Sequence, residues 1–100
     1  MNKLFNLLGL AMRAGKVVTG EEQVIKVVRS RQASLVFLST DAAPNLRKKV
    51  ENKCAYYQVP VVKYGTRQQL GKAVGKPNRV VIAVTDPGFT RSMLQMLERK

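Results

Sequence analysis

Residues 35–44 read Leu35-Val36-Phe37-Leu38-Ser39-Thr40-Asp41-Ala42-Ala43-Pro44. Four apolar residues in a row are too few for a helix, and no polar residue alternates with them. Such a run reads as a strand buried on both faces, so a helix layer must cover each side of its sheet. Pro44 then marks a helix start, because its ring presets the first helical φ and the N–H it lacks has no intrahelical partner to lose. This strand–turn–helix unit sets the fold class, and the flanking segments repeat it.

Upstream, Leu4, Leu7, Leu8, Ala11 and Met12 recur at one-face helical spacing, and Gly15 ends that helix. Val17-Val18-Thr19 is a short β-branched strand. Gly20 opens a second helix with Val24, Val27 and Val28 inward; Arg29 and Arg31 fall near its C-terminal end, where cations suit the dipole. Downstream, Leu46, Val50, Cys54 and Tyr57 form the inner face of the helix begun at Pro44, while Arg47, Lys48, Lys49, Glu51 and Lys53 lie mostly off it. Residues 59–64 predict a strand with Pro60 at its beginning. Thr66 and Gln69 have the spacing of a capping box for a short helix over 67–74. Gly75-Lys76-Pro77-Asn78 is a loop, and residues 80–84 are a last strand. Asp86 and Pro87 then begin a helix whose core face carries Phe89, Met93, Met96 and Leu97. Helices and strands alternate strictly, which predicts one α/β domain over 1–100, its sheet covered on both faces. No linker, internal repeat or low-complexity segment interrupts it.

Lys and Arg number 18 against 6 Asp and Glu, a formal net charge of +12, with cations spread from Lys3 to Lys100 rather than gathered in a tail. Hydrophobic residues make up 45% of the chain, too many for a disordered basic protein. Charge distributed over a folded surface points to a polyanion partner. The single Cys54 has no disulfide partner and the chain has no His, so no metal or other cofactor is implied. A reducing, cytoplasmic setting fits, with Cys54 a small buried hydrophobe. Asn6 and Arg13 break up the apolar N-terminal residues, unlike a signal peptide. No stretch approaches the ~20 apolar residues of a membrane span, so no membrane partner is expected.

An enzyme is not expected: there is no His for acid–base work, no G-x-G-x-x-G loop, and no nucleophile with a base beside it. Asp41 and Asp86 follow strands, where α/β active sites lie, yet each precedes a Pro-marked helix start, so helix capping is the stronger reading. The turn Thr19-Gly20-Glu21-Glu22-Gln23-Val24-Ile25-Lys26 has two accounts. Structurally, Thr19 with Glu22 fits a capping box, and Glu22 with Lys26 an i, i+4 ion pair. Functionally, it is a base-reading edge: Lys donates to guanine O6 and N7, and carboxylates or amides pair with base donors. Spacing alone favours the structural account. The segment Leu70-Gly71-Lys72-Ala73-Val74-Gly75 runs into Lys76-Pro77-Asn78-Arg79. Gly71 suits close packing and Gly75 a left-handed helix stop, while Lys76 and Arg79 suit a phosphate backbone. Turns that follow strands gather at one sheet edge, which makes the Gly20 and Asp41 turns neighbours. The Gly75 loop runs into a strand, and alternation does not place it.

Three of these elements, in this order, resemble the kink-turn-binding ribosomal protein superfamily of archaeal L-seven-Ae and eukaryotic L-thirty-e type, with the bacterial YlxQ-like branch most similar. They are Gly20-x-x-Gln23-x-x-Lys26, the apolar strand running into Ser39-Thr40-Asp41-Ala42-Ala43-Pro44, and residues 70–75. The resemblance implies a three-layer α/β/α sandwich with a four-stranded mixed sheet. It also implies a monomeric, non-enzymatic RNA-binding protein, associated with ribosomal or other structured RNA, that recognises a sharp bend with tandem sheared G·A pairs. The family's Asn, Glu and Lys that contact those guanines stand at Glu22, Gln23 and Lys26. The implied RNA-binding set is Gly20, Glu21, Glu22, Gln23, Lys26, Asp41, Gly75, Lys76, Pro77, Asn78 and Arg79. Two positions depart from the pattern. A carboxylate at Glu22 only accepts hydrogen bonds, where Asn also donates. The loop that is short and apolar in the family is here basic, Lys76-Pro77-Asn78-Arg79. These departures motivate an alternative, a protein–protein adaptor on the same fold.

Overall fold

The computed structural model describes residues 2–98. The elements are α1 (Lys3–Arg13), β1 (Val17–Thr19), α2 (Glu21–Arg29), β2 (Leu35–Leu38), α3 (Pro44–Tyr56), β3 (Val61–Lys63), α4 (Arg67–Ala73), β4 (Val81–Val84) and α5 (Pro87–Glu98). The alternation read from the sequence is thus the observed one. Every residue of β2 and β4 is buried. Period-two geometry divides them between two cores. Val36, Leu38, Val81 and Ala83 pack on one side with Val24, Val28, Val50 and Cys54 of α2 and α3. Leu35, Phe37, Ile82 and Val84 pack on the other with Leu4, Leu8, Leu70 and Met93 of α1, α4 and α5. The result is an α/β/α sandwich.

The sheet order is β1-β4-β2-β3. β2 runs parallel to β3, and β4 runs antiparallel to both β1 and β2, with Leu38 opposite Val81 and Thr19 opposite Ile82. The sheet is therefore mixed. Because β4 alone is reversed, the chain enters it at the same edge where β1, β2 and β3 end. That reversal decides the position of the Gly75 loop, which alternation left open.

Several boundaries follow from backbone chemistry. The ladder starts at Val61 rather than 59, because the Val59 N–H donates to Cys54 O at 2.8 Å and Pro60 has no N–H. Thr66 and Gln69 form the expected capping box of α4, both hydrogen bonds present. Asp86 Oδ2 accepts from the Phe89 N–H at 2.9 Å, so this aspartate caps α5 as expected.

Two expected caps are replaced. Thr19 does not cap α2: the N-cap is Gly20, at φ 92° and ψ 150°, with no side-chain cap. Only glycine adopts this conformation readily, and it leaves Thr19 in the strand. Asp41 does not cap α3, whose N-cap is Ala43. Asp41 lies too far upstream and turns instead to another helix: its Oδ1 accepts from the N–H of Arg67, the first residue of α4, at 3.0 Å.

Candidate nucleic-acid interface

Four chain segments meet at the edge where β1, β2 and β3 end. The Gly20 N–H donates to Val81 O at 3.2 Å, and the Ser39 N–H to Val80 O at 2.8 Å. The Thr40 N–H donates to Gly65 O at 2.8 Å. These bonds tie the turns after β1, β2 and β3 to the segment entering β4. Thr19, Gly20, Glu21, Asn78 and Arg79 line one shallow groove there.

The Gly75 loop is fixed to this edge from two sides. Its backbone lies against α4: a Cβ added at Gly71 would sit 2.4 Å from Pro77 O and 2.9 Å from Asn78 Cα. Only glycine lets the loop approach that closely. Gly75 itself turns the chain at φ 73°. The Arg79 N–H donates to Arg67 O at 3.0 Å. On the other side, Arg79 Nε donates to Thr19 Oγ1 at 3.1 Å and Nη1 to Asn78 O at 2.7 Å. Arg79 thus bridges the loop to the end of β1, one residue before the Gly20 cap of α2. Lys76, Pro77 and Asn78 stand exposed beside it.

On α2, the expected residues divide. Glu22, Gln23 and Lys26 are exposed, and among the described residues neither Glu22 nor Lys26 belongs to an ion pair. The i, i+4 pair allowed by their spacing is not formed. Glu21 turns toward α3, its Oε2 2.6 Å from Lys49 Nζ. Asp41 is occupied too. Arg67 Nε lies 3.5 Å from its Oδ2, and Arg67 Nη2 donates to its carbonyl at 2.7 Å. Its carboxyl is held below the ordinary carboxylate range, first by the Ser39 hydroxyl and then by the Arg67 N–H and guanidinium, against an opposing effect of desolvation. The Ser39 hydroxyl is buried, with no partner of full hydrogen-bond geometry among the described residues. Asp41 therefore organises the edge, while Gln23, Lys26, Lys76 and Asn78 present exposed side chains from it. Sequence reasoning missed Thr19, Lys49 and Arg67 as the residues that position the others. Their partners are 28 residues away or more for Thr19 and Lys49, and 26 away for Arg67, so no local pattern signals them.

Residues 2–94 match the model of the Ribosomal protein L7Ae/L30e/S12e/Gadd45 family. The chain belongs to this family. It is 52% identical over 94 residues to the RNA-binding protein YlxQ of Bacillus subtilis, covering 94% of each chain. A solved structure of a protein with unknown function from Bacillus halodurans superposes with a TM-score of 0.95 at 48% identity, over 99% of this chain and 100% of that one. The Giardia lamblia 15.5kD RNA binding protein shares the L7Ae-type fold at 21% identity, with a TM-score of 0.83 over 96% of this chain and 82% of that one. Among the described residues, no helix of this L7Ae-family chain is long and apolar enough to cross a membrane.

Proposed function

We propose that the protein is a structure-specific, non-enzymatic RNA-binding protein, ribosome-associated, that recognises kink-turn-like RNA through G·A pairs. The observation that carries this reading is the Arg79–Thr19 bond. It joins the end of β1, one residue before the Gly20 cap of α2, to the basic loop before β4 and so brings together segments 60 residues apart. The family and the RNA-binding relatives supply the partner class. A-form RNA hides its base edges in a deep, narrow major groove, and a bend with G·A pairs opens them. Lys26 and Gln23 then donate to guanine edges, the α2 N-terminus attracts phosphate, and Lys76 with Asn78 holds the backbone.

Lys26→Ala tests the assignment. A direct base contact is worth about 1–3 kcal/mol. Binding to a kink-turn RNA is expected to fall by that amount, with far less loss on a plain duplex. Equal losses on both RNAs would reduce Lys26 to a general phosphate contact.

Exposed Glu22, without an ion pair among the described residues, favours a second reading. On that reading, the edge binds a protein partner. Glu22→Asn separates the two: on the RNA reading it tightens kink-turn binding, by about 0.5–1.5 kcal/mol for a regained hydrogen bond. No change in RNA affinity would support the adaptor.

A further inference from the structure

A second basic feature adjoins this edge. A groove between α2 and α3 is lined by Ile25, Lys26, Arg29 and Ser30 from one helix and by Lys49 and Lys53 from the other, with Glu21 and Glu22 at one end. Glu21 is neutralised by Lys49. Among the described residues, three unpaired cations, Lys26, Arg29 and Lys53, thus face one unpaired acid, Glu22, at the end nearest Gly20. Lys26 and Arg29 are i, i+3 neighbours, as Lys49 and Lys53 are i, i+4 neighbours, so two basic rows flank the groove. The α2 segment is nine residues, about 13 Å at the helical rise.

The α3 row continues one turn past Lys53 to Tyr56, whose residue surface is 77% exposed. Its ring is edge-on to Tyr57, centroids 4.9 Å apart, and the Arg31 guanidinium lies 5.4 Å from the Tyr57 ring centre. These contacts tie the segment just after α2 to the C-terminal end of α3, with Tyr56 one helical turn beyond Lys53 of the groove. Core packing does not account for an aromatic ring left so open. A basic channel ending in an exposed aromatic face fits single-stranded nucleic acid, whose phosphates track the charge while an unpaired base stacks. A duplex offers no free base face.

We propose that the α2–α3 groove carries a single-stranded extension of the bound RNA, with its phosphates on Arg29 and Lys53 and one unpaired base stacked on Tyr56. The inference rests on the RNA-binding reading for its partner class, though not on G·A recognition. The test compares affinity for a kink-turn RNA with and without an extension of about six uridines at either end. One extension is expected to tighten binding about five- to 150-fold, the range of one base–aromatic stack. Tyr56→Ala removes that gain and Tyr56→Phe keeps it. Arg29→Gln combined with Lys53→Gln lowers the salt slope on the extended RNA by about 1.4, two contacts at ~0.7 each. The double variant and Tyr56→Phe carry the test even if Tyr56→Ala fails to fold. Equal affinity with and without both extensions overturns the proposal, as does a gain that neither Tyr56→Ala nor the double variant diminishes. Loss of G·A discrimination with the extension gain intact removes the kink-turn reading and leaves this one standing.

Discussion

The geometry of the candidate interface requires glycine at both 20 and 71, for opposite physical reasons. A Cβ at Gly20 meets no atom within 4 Å, but the φ of 92° strains any other residue. Gly20→Ala is expected to cost about 1–3 kcal/mol in urea unfolding and to shift the start of α2. Gly71 has no positive φ, yet its Cβ would strike the Pro77 backbone. Gly71→Ala is therefore expected to push the 75–79 loop away from α4, at about 1–3 kcal/mol of overpacking, with RNA affinity falling further than stability. Cys54 is a third case. Burial pushes its thiol up from 9.0 to about 11. Between those values the unfolded thiol has lost its proton and the folded one has not, so stability falls as pH rises from about 9 to 11. Cys54→Ala is expected to flatten this part of the profile relative to wild type. Identical slopes for the two proteins would show that Cys54 is not its source.

Elements were more legible in the sequence than the contacts between them. The four-residue apolar run of β2, the capping box at Thr66 and Gln69, and Pro44 and Pro87 at helix starts are local signals. The structure reproduces each of them. The start of α2 misled because Thr19-x-x-Glu22 has capping-box spacing, while the conformation of Gly20, invisible to spacing, gives Thr19 to Arg79 instead. Asp41 likewise serves α4 across a gap of 26 residues. Two predictions belong at this scale. Thr66→Ala is expected to lower stability by about 0.5–2 kcal/mol, the usual cost of a lost N-cap, read by urea denaturation. Asp41→Ala is expected to loosen α4, and the pH dependence has a definite sign. Its folded carboxyl titrates below the ordinary value, so its contribution is present above the unfolded pKa and is lost as pH falls through the folded one. The difference in melting temperature between wild type and Asp41→Ala should therefore shrink on acidification below pH ~4.

For the whole molecule, a single reversed strand joins architecture to function. Because β4 runs against its neighbours, the basic loop before it reaches the same edge as the turns after β1, β2 and β3. Three ion pairs among the described residues engage Glu21, Asp41 and Glu51; each joins one cation to one carboxylate, so the net charge of +12 stands in full. That excess acts on any RNA backbone and fades with salt; on the proposed function, selectivity comes from the joined edge. Lys76→Ala is accordingly expected to lower the salt slope by about 0.7–0.9 while leaving RNA discrimination intact. Arg79→Ala also unties the loop from Thr19 and is expected to reduce discrimination. The most direct measurement is a mobility-shift titration of the wild-type protein with a kink-turn RNA and with the same RNA whose G·A pairs are replaced by Watson–Crick pairs. The account predicts tight binding to the first and only weak, strongly salt-dependent binding to the second; equal affinity for both at every salt concentration would contradict it.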